Sequence, residues 1–90
     1  MPPLAAYPNP FKGATSIQWQ VRAAGRVNVS VFDAAGRRVT TLCNARLNPG
    51  GYSATWRGLD RNGRALAAGI YFLSLETQDS RLSRKILLTR

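Results

Sequence analysis

Apolar side chains recur at every second residue in one segment after another, and this spacing limits the chain more than any other feature does. In TSIQWQV, Ile17, Trp19 and Val21 fall on one side and Ser16, Gln18 and Gln20 on the other. In VNVSVFD, Val27, Val29 and Val31 alternate with Asn28 and Ser30, and in YSATWRG, Tyr52, Ala54 and Trp56 alternate with Ser53, Thr55 and Arg57. Successive side chains of a strand point to opposite faces, so these segments read as strands with one side on a core and one side in water. GIYFLSLET is apolar on both faces, which predicts a central position. RRVTTL and RKILLT complete the main set, and RAL can add a short strand. No window of useful length carries a period of 3.6, so helix content is expected to be close to nil.

The turns are equally legible. DAAGR (Asp33 to Arg37) and DRNGR (Asp60 to Arg64) share a D-x-x-G-R pattern. In such a turn Asp33 or Asp60 caps backbone amides, and Gly36 or Gly63 supplies the left-handed residue that closes the hairpin. A calcium loop begins with similar residues, but it needs further oxygen ligands and an acidic end, where this chain has Arg64, Ala65 and Leu66. LNPGG, Leu47 to Gly51, is another turn, its φ set by Pro49. About seven short antiparallel strands with turn signals every ~8–12 residues describe an all-β fold, an immunoglobulin-like β-sandwich. Gly69 and Tyr71 enter the central strand as the corner tyrosine does in such folds.

A chain of 90 residues with 44 % hydrophobic and 19 % charged residues makes one small globular domain. Residues 15–90 are assigned to the sandwich and residues 1–14 to a lead-in containing YPNPF. No apolar run approaches the ~18 residues of a membrane span, so no membrane insertion is expected. The start MPPLAAYPNPF has neither the basic nor the apolar region of a signal peptide. Cys43 is the single cysteine; it excludes an internal disulfide and reads as a small buried hydrophobe.

Chemistry is thin. Without histidine the chain lacks Ser–His–Asp and Cys–His nucleophilic systems and every His-containing metal site. Of the 4 carboxylates, Asp33 and Asp60 are claimed by turns, while Glu76 and Asp79 flank a hairpin. No phosphate-cradling glycine loop is present. The chain is therefore read as non-enzymatic, with no catalytic, cofactor-binding or metal-binding residues. Its formal charge of +9 attracts polyanions in general, yet the arginines are scattered over several hairpins and no nucleic-acid motif accompanies them. No specific nucleic-acid partner is expected. Trp19, Trp56, Tyr52 and Tyr71 invite a sugar- or base-stacking reading, but each stands in register with the apolar face of its strand, which assigns it to the core.

Four segments in order, YPNPF, GRVNVSVFDAAGRRVTTL, PGGYSATWRGLDRNGRALAAGIYF and the terminal RKILLTR, resemble the type A C-terminal sorting domains of proteins exported by the bacterial type IX, or Por, secretion system. The middle part is also similar to the immunoglobulin-like domain of the flagellar hook-capping protein. The resemblance covers Tyr7 to Arg90. It implies a seven-stranded sandwich at the end of a larger secreted or cell-surface protein, covalently joined to an upstream cargo domain and passed through the periplasm. Export and translocon proteins of the outer membrane would then be the partners. By the same resemblance YPNPF marks the join with the cargo, and Arg84, Lys85, Ile86, Leu87, Leu88 and Arg90 form the partner-reading segment. The chain holds no cargo, so an excised domain is expected. One departure is Trp56-Arg57-Gly58, where the family usually carries an acidic residue after the tryptophan. A structural assembly domain of the hook-cap kind and a carbohydrate-binding module are the competing readings.

Overall fold

The computed structural model describes residues 3–90. Seven strands follow one another: β1 Leu4–Tyr7, β2 Thr15–Val21, β3 Gly25–Asp33, β4 Arg38–Leu47, β5 Gly50–Trp56, β6 Gly69–Glu76 and β7 Arg81–Leu88. All pairings between these strands are antiparallel. A 3-stranded sheet has the order β1-β2-β5, and a 4-stranded sheet the order β4-β3-β6-β7. This is the immunoglobulin-like sandwich expected from the alternation, with β6 in the interior of its sheet.

The alternation decides which side chains meet. Ile17, Trp19 and Val21 from one sheet face Val27, Val29, Val31, Leu73 and Leu75 from the other across a dry core. Three rings form its centre: Trp56 lies 5.4 Å from Phe11 and 5.5 Å from Tyr71, between centroids. Such tilted and edge-on contacts suit the ring quadrupoles. Trp19 stacks on the half-buried Tyr52 at 6.1 Å. Trp19, Trp56 and Tyr71 are all buried, so these three rings belong to the core and do not form a surface platform.

Corners are held by side chains. The Tyr71 hydroxyl donates to the Ala67 carbonyl at 2.6 Å, the corner contact expected at the entry of this strand. The Tyr52 hydroxyl does the same for Asn48 at 2.7 Å, fixing the turn through which the chain crosses from β4 to β5. Trp56 Nε1 donates to the Leu59 carbonyl at 3.0 Å.

Two strand assignments differ from the sequence reading. RAL forms only a single bridge, Ala65 with Leu59. The seventh strand is β1 instead, lying within the lead-in and pairing with β2 from Leu4↔Trp19 to Tyr7↔Ser16. LAAY is too short and too poor in β-branched residues to announce itself as a strand; pairing and the burial of Leu4 (0 % exposed) hold it there. The lead-in also supplies Phe11 to the core.

Candidate functional site

The sequence points to the terminal segment, so the site is built from β7. Its inner side pairs with β6 along the full strand, from Gly69↔Leu88 to Glu76↔Arg81. Its outer edge would normally be left with unpaired backbone groups, but here YPNPF lies along it. Asn9 acts twice: its Nδ2 donates to the Lys85 carbonyl at 2.9 Å, and its Oδ1 accepts from the Leu87 amide at 3.0 Å. Phe11 continues the pairing, its amide donating to the Leu87 carbonyl at 3.0 Å and its carbonyl accepting from the Thr89 amide at 2.8 Å. The Thr89 hydroxyl adds a further bond to the Phe11 carbonyl at 3.0 Å. One side-chain amide thus imitates a strand residue, and the edge from Lys85 to Thr89 is occupied by the chain's own beginning.

The six terminal residues go to three different places. Ile86 and Leu88 are 0 % and 1 % exposed; they face the core, and their contribution to this segment is packing. Arg84 shares their inward parity but stands at the rim where β7 nears β1, and its Nε donates to the Leu4 carbonyl at 3.2 Å. Arg90 folds back, its guanidinium bonding the Leu66 carbonyl and reaching the Gly58 carbonyl at 3.5 Å. These two cations clamp backbone. Only Lys85 and Leu87 project from the outward face of the sheet, both exposed.

Within Trp56-Arg57-Gly58 the sequence reading gives Gly58 no role of its own. Its φ of +70° lies in the left-handed region, and a Cβ built there would sit 3.2 Å from a Leu88 methyl. A side chain at this buried position would meet strain and steric conflict together. The signal was the W-x-G word itself, whose glycine must let the chain turn tightly against β7.

The two D-x-x-G-R turns are nearly superposable in their bonding. Asp33 Oδ1 accepts from the Ala35 and Arg37 amides at 3.0 and 2.9 Å, and Asp60 Oδ1 from the Asn62 and Arg64 amides at 2.8 and 3.0 Å. Gly36 and Gly63 take φ of +86° and +82°. Amide donation from Arg37 and from Arg64 is the main cause holding the Asp33 and Asp60 carboxyls below their usual range. Arg37 also forms an ion pair with Asp33 at 2.9 Å, where the Arg37 side chain is largely exposed. Burial raises the Cys43 thiol, which suits a small half-buried hydrophobe better than a nucleophile.

Comparison with known proteins agrees with this architecture. The FlgD Ig-like domain family matches residues 6–81. PorZ of Porphyromonas gingivalis, an essential bacterial surface component of the type-IX secretion system, superposes with a TM-score of 0.66 at 18 % identity, over 97 % of this chain and 11 % of that one. Dimeric latent PorU from the same organism gives 0.68 at 14 %, over 96 % and 9 %. FlgD from Xanthomonas campestris, whose structure bears on the hook capping essential for flagellar assembly, gives 0.63 at 28 %, over 96 % and 62 %. The chain thus spans about a tenth of PorZ and PorU. No curated protein sequence matches it. With most of its length matched, its sandwich topology and its two capped turns, the chain belongs to the FlgD Ig-like domain family.

Proposed function

We propose that the chain is a non-catalytic sorting and attachment module carried at the C-terminus of a larger secreted or cell-surface bacterial protein. In this reading the type IX export machinery of the outer membrane recognises it. The observation that carries the proposal is the docking of YPNPF on β7. The two words that the resemblance assigns to cargo junction and sorting signal are joined by direct hydrogen bonds, with Lys85 and Leu87 facing solvent beside them. A partner would read side chains on the face of β7, since the backbone edge from Lys85 to Thr89 is occupied. The fold shared with PorZ and PorU supports the same direction.

The test fuses the chain behind a periplasmic reporter in a cell with a working type IX system. Lys85→Glu with Leu87→Ser should stop export while the purified domain melts almost as wild type, because outward surface substitutions change stability by only about 0.5 kcal/mol. Arg84 and Arg90 are unsuitable for this purpose, since reversing them also removes bonds to Leu4 and Leu66. Reporter held in the periplasm by wild type and variant alike would sink the sorting reading.

A second reading is a structural assembly domain, favoured by the family match and by the 28 % identity to the hook-capping FlgD. It assigns the terminal strand no signalling role, and predicts that the double variant behaves as wild type in every assay but charge.

A further inference from the structure

Outward positions of a half-wet strand are usually polar. The 4-stranded sheet breaks this rule at one end. Ile70, Phe72 and Leu87 are 44 %, 37 % and 38 % exposed, and all three point away from the core. The register makes them neighbours: Ile70 stands opposite Leu87, Phe72 opposite Lys85, and Phe32 opposite both Phe72 and Arg38. Cross-strand neighbours lie about 5 Å apart and same-face residues along a strand about 7 Å. These six residues therefore form two adjoining rungs and a continuous patch. The Arg38 guanidinium lies 5.4 Å from the centre of the Phe32 ring.

Folding does not require this. On the next rung the equivalent positions are Ser30, Ser74 and Ser83, so the same sheet accepts hydroxyls there. Exposed apolar groups collected on one face and rimmed by charge are characteristic of a docking surface.

We propose that this face, centred on Phe72 and flanked by Arg38 and Lys85, docks a protein segment that presents apolar side chains between carboxylates. The charge argument selects the occupant. Arg38 and Lys85 stand at opposite ends of one rung, and Asp33, which follows Phe32 in β3, is already engaged by Arg37 and the turn amides. A second copy would bring these cations onto a surface of like charge, in a chain of net +9. A polyanion such as duplex DNA would satisfy the cations and leave the apolar centre unmatched. The proposal deepens the sorting reading, because Lys85 and Leu87 become part of a surface assembled largely from the middle of the chain. Its chemistry, however, can be tested without export.

The probe is a short synthetic peptide with leucine and phenylalanine set between glutamates, beside a matched peptide with alanine at the apolar positions. Both are titrated into the isotopically labelled chain at physiological salt. Amide shifts should gather around residues 32, 38, 70–72 and 85–87. Phe72→Ser should weaken binding about tenfold, as loss of a central anchor does; Arg38→Glu should weaken it as well, and Gln18→Ala on the other sheet should not. Arg38→Glu provides the same answer should Phe72→Ser melt early. No binding, equal binding of the alanine peptide or of duplex DNA, or shifts spread over Arg22, Arg57 and Arg61 would overturn the proposal. So would a dimer in sedimentation that Phe72→Ser dissolves, which would make the occupant a second copy. In the export assay Phe72→Ser should fail as Lys85→Glu with Leu87→Ser does. A Phe72→Ser reporter exported normally while the terminal variant fails would overturn the composite surface and spare the sorting reading. A wild-type reporter that is never exported sinks the sorting reading, and the peptide titration then decides the surface alone.

Discussion

The two sheets share one core and differ on their outer faces. The 3-stranded sheet turns out Ser16, Gln18 and Gln20 of β2, Ser53 and Thr55 of β5, and Ala5 and Tyr7 of β1, a mostly polar surface without a charge among them, on which Tyr7, 79 % exposed, brings a hydroxyl with its ring. The 4-stranded sheet turns out Ile70, Phe72 and Leu87 with cations around them. Both faces rest on the same buried residues, so the core does not dictate the contrast. The polar face is what an alternating strand needs in water; the apolar, cationic one exceeds that need, and the proposed docking surface rests on this excess. The edges differ in the same way. β5 runs in unbroken register from Thr15↔Trp56 to Val21↔Gly50 with no charge before Arg57, while β7 is covered by the lead-in and β4 carries two register shifts, a device that twists an edge away from further pairing.

The contrast rests on one core lying beneath both faces, and Trp56→Ala would break it most severely. This ring touches Phe11 and Tyr71, and its loss should cost about 3–5 kcal/mol in denaturant melts. Both faces should be lost in a single transition; a loss below about 1 kcal/mol would mean that the two sheets are not held by this ring. Next in size is Asn9→Ala. It removes both side-chain bonds to β7 and should cost about 1–2 kcal/mol, with faster hydrogen exchange at the Leu87 amide and unchanged exchange along β5. Equal exchange in wild type and variant would show that the lead-in does not guard that edge.

Paired outward substitutions sharpen the contrast further. Phe72→Ser and Thr55→Ser should each shift stability by about 1 kcal/mol or less, yet only the first should alter docking. The smallest effect is expected from pH. Asp33 and Asp60 have lowered pKa values in the folded chain, so their contribution is complete above the unfolded carboxylate pKa and is lost as pH falls through the lowered folded values. With no histidine in the chain, the melt should be flat from neutral pH down to the ordinary carboxylate range and decline only below it. Asp33→Asn with Asp60→Asn should flatten that acid limb; an unchanged limb would show that the two turn carboxylates do not cause it.

Local chemistry is what the sequence by itself determined. Period-two alternation assigned the faces of β2, β3 and β5, apolar content on both sides placed β6 in the interior, and two D-x-x-G-R words described turns whose bonding follows that description. Each of these signals lies within a window of a few residues, because the physics involved, side-chain direction and turn capping, acts over that range. What only the tertiary structure decided are contacts between residues far apart in the chain: β1 on β2, Asn9 on β7 across 76 and 78 residues, and the division of the terminal residues among core, clamps and surface. The Phe32–Phe72 rung belongs with them. The Phe72 side chain was legible as apolar, but its exposure depends on which strands lie beside β6 and on nothing packing over that face, and neither condition is written in any local stretch of sequence.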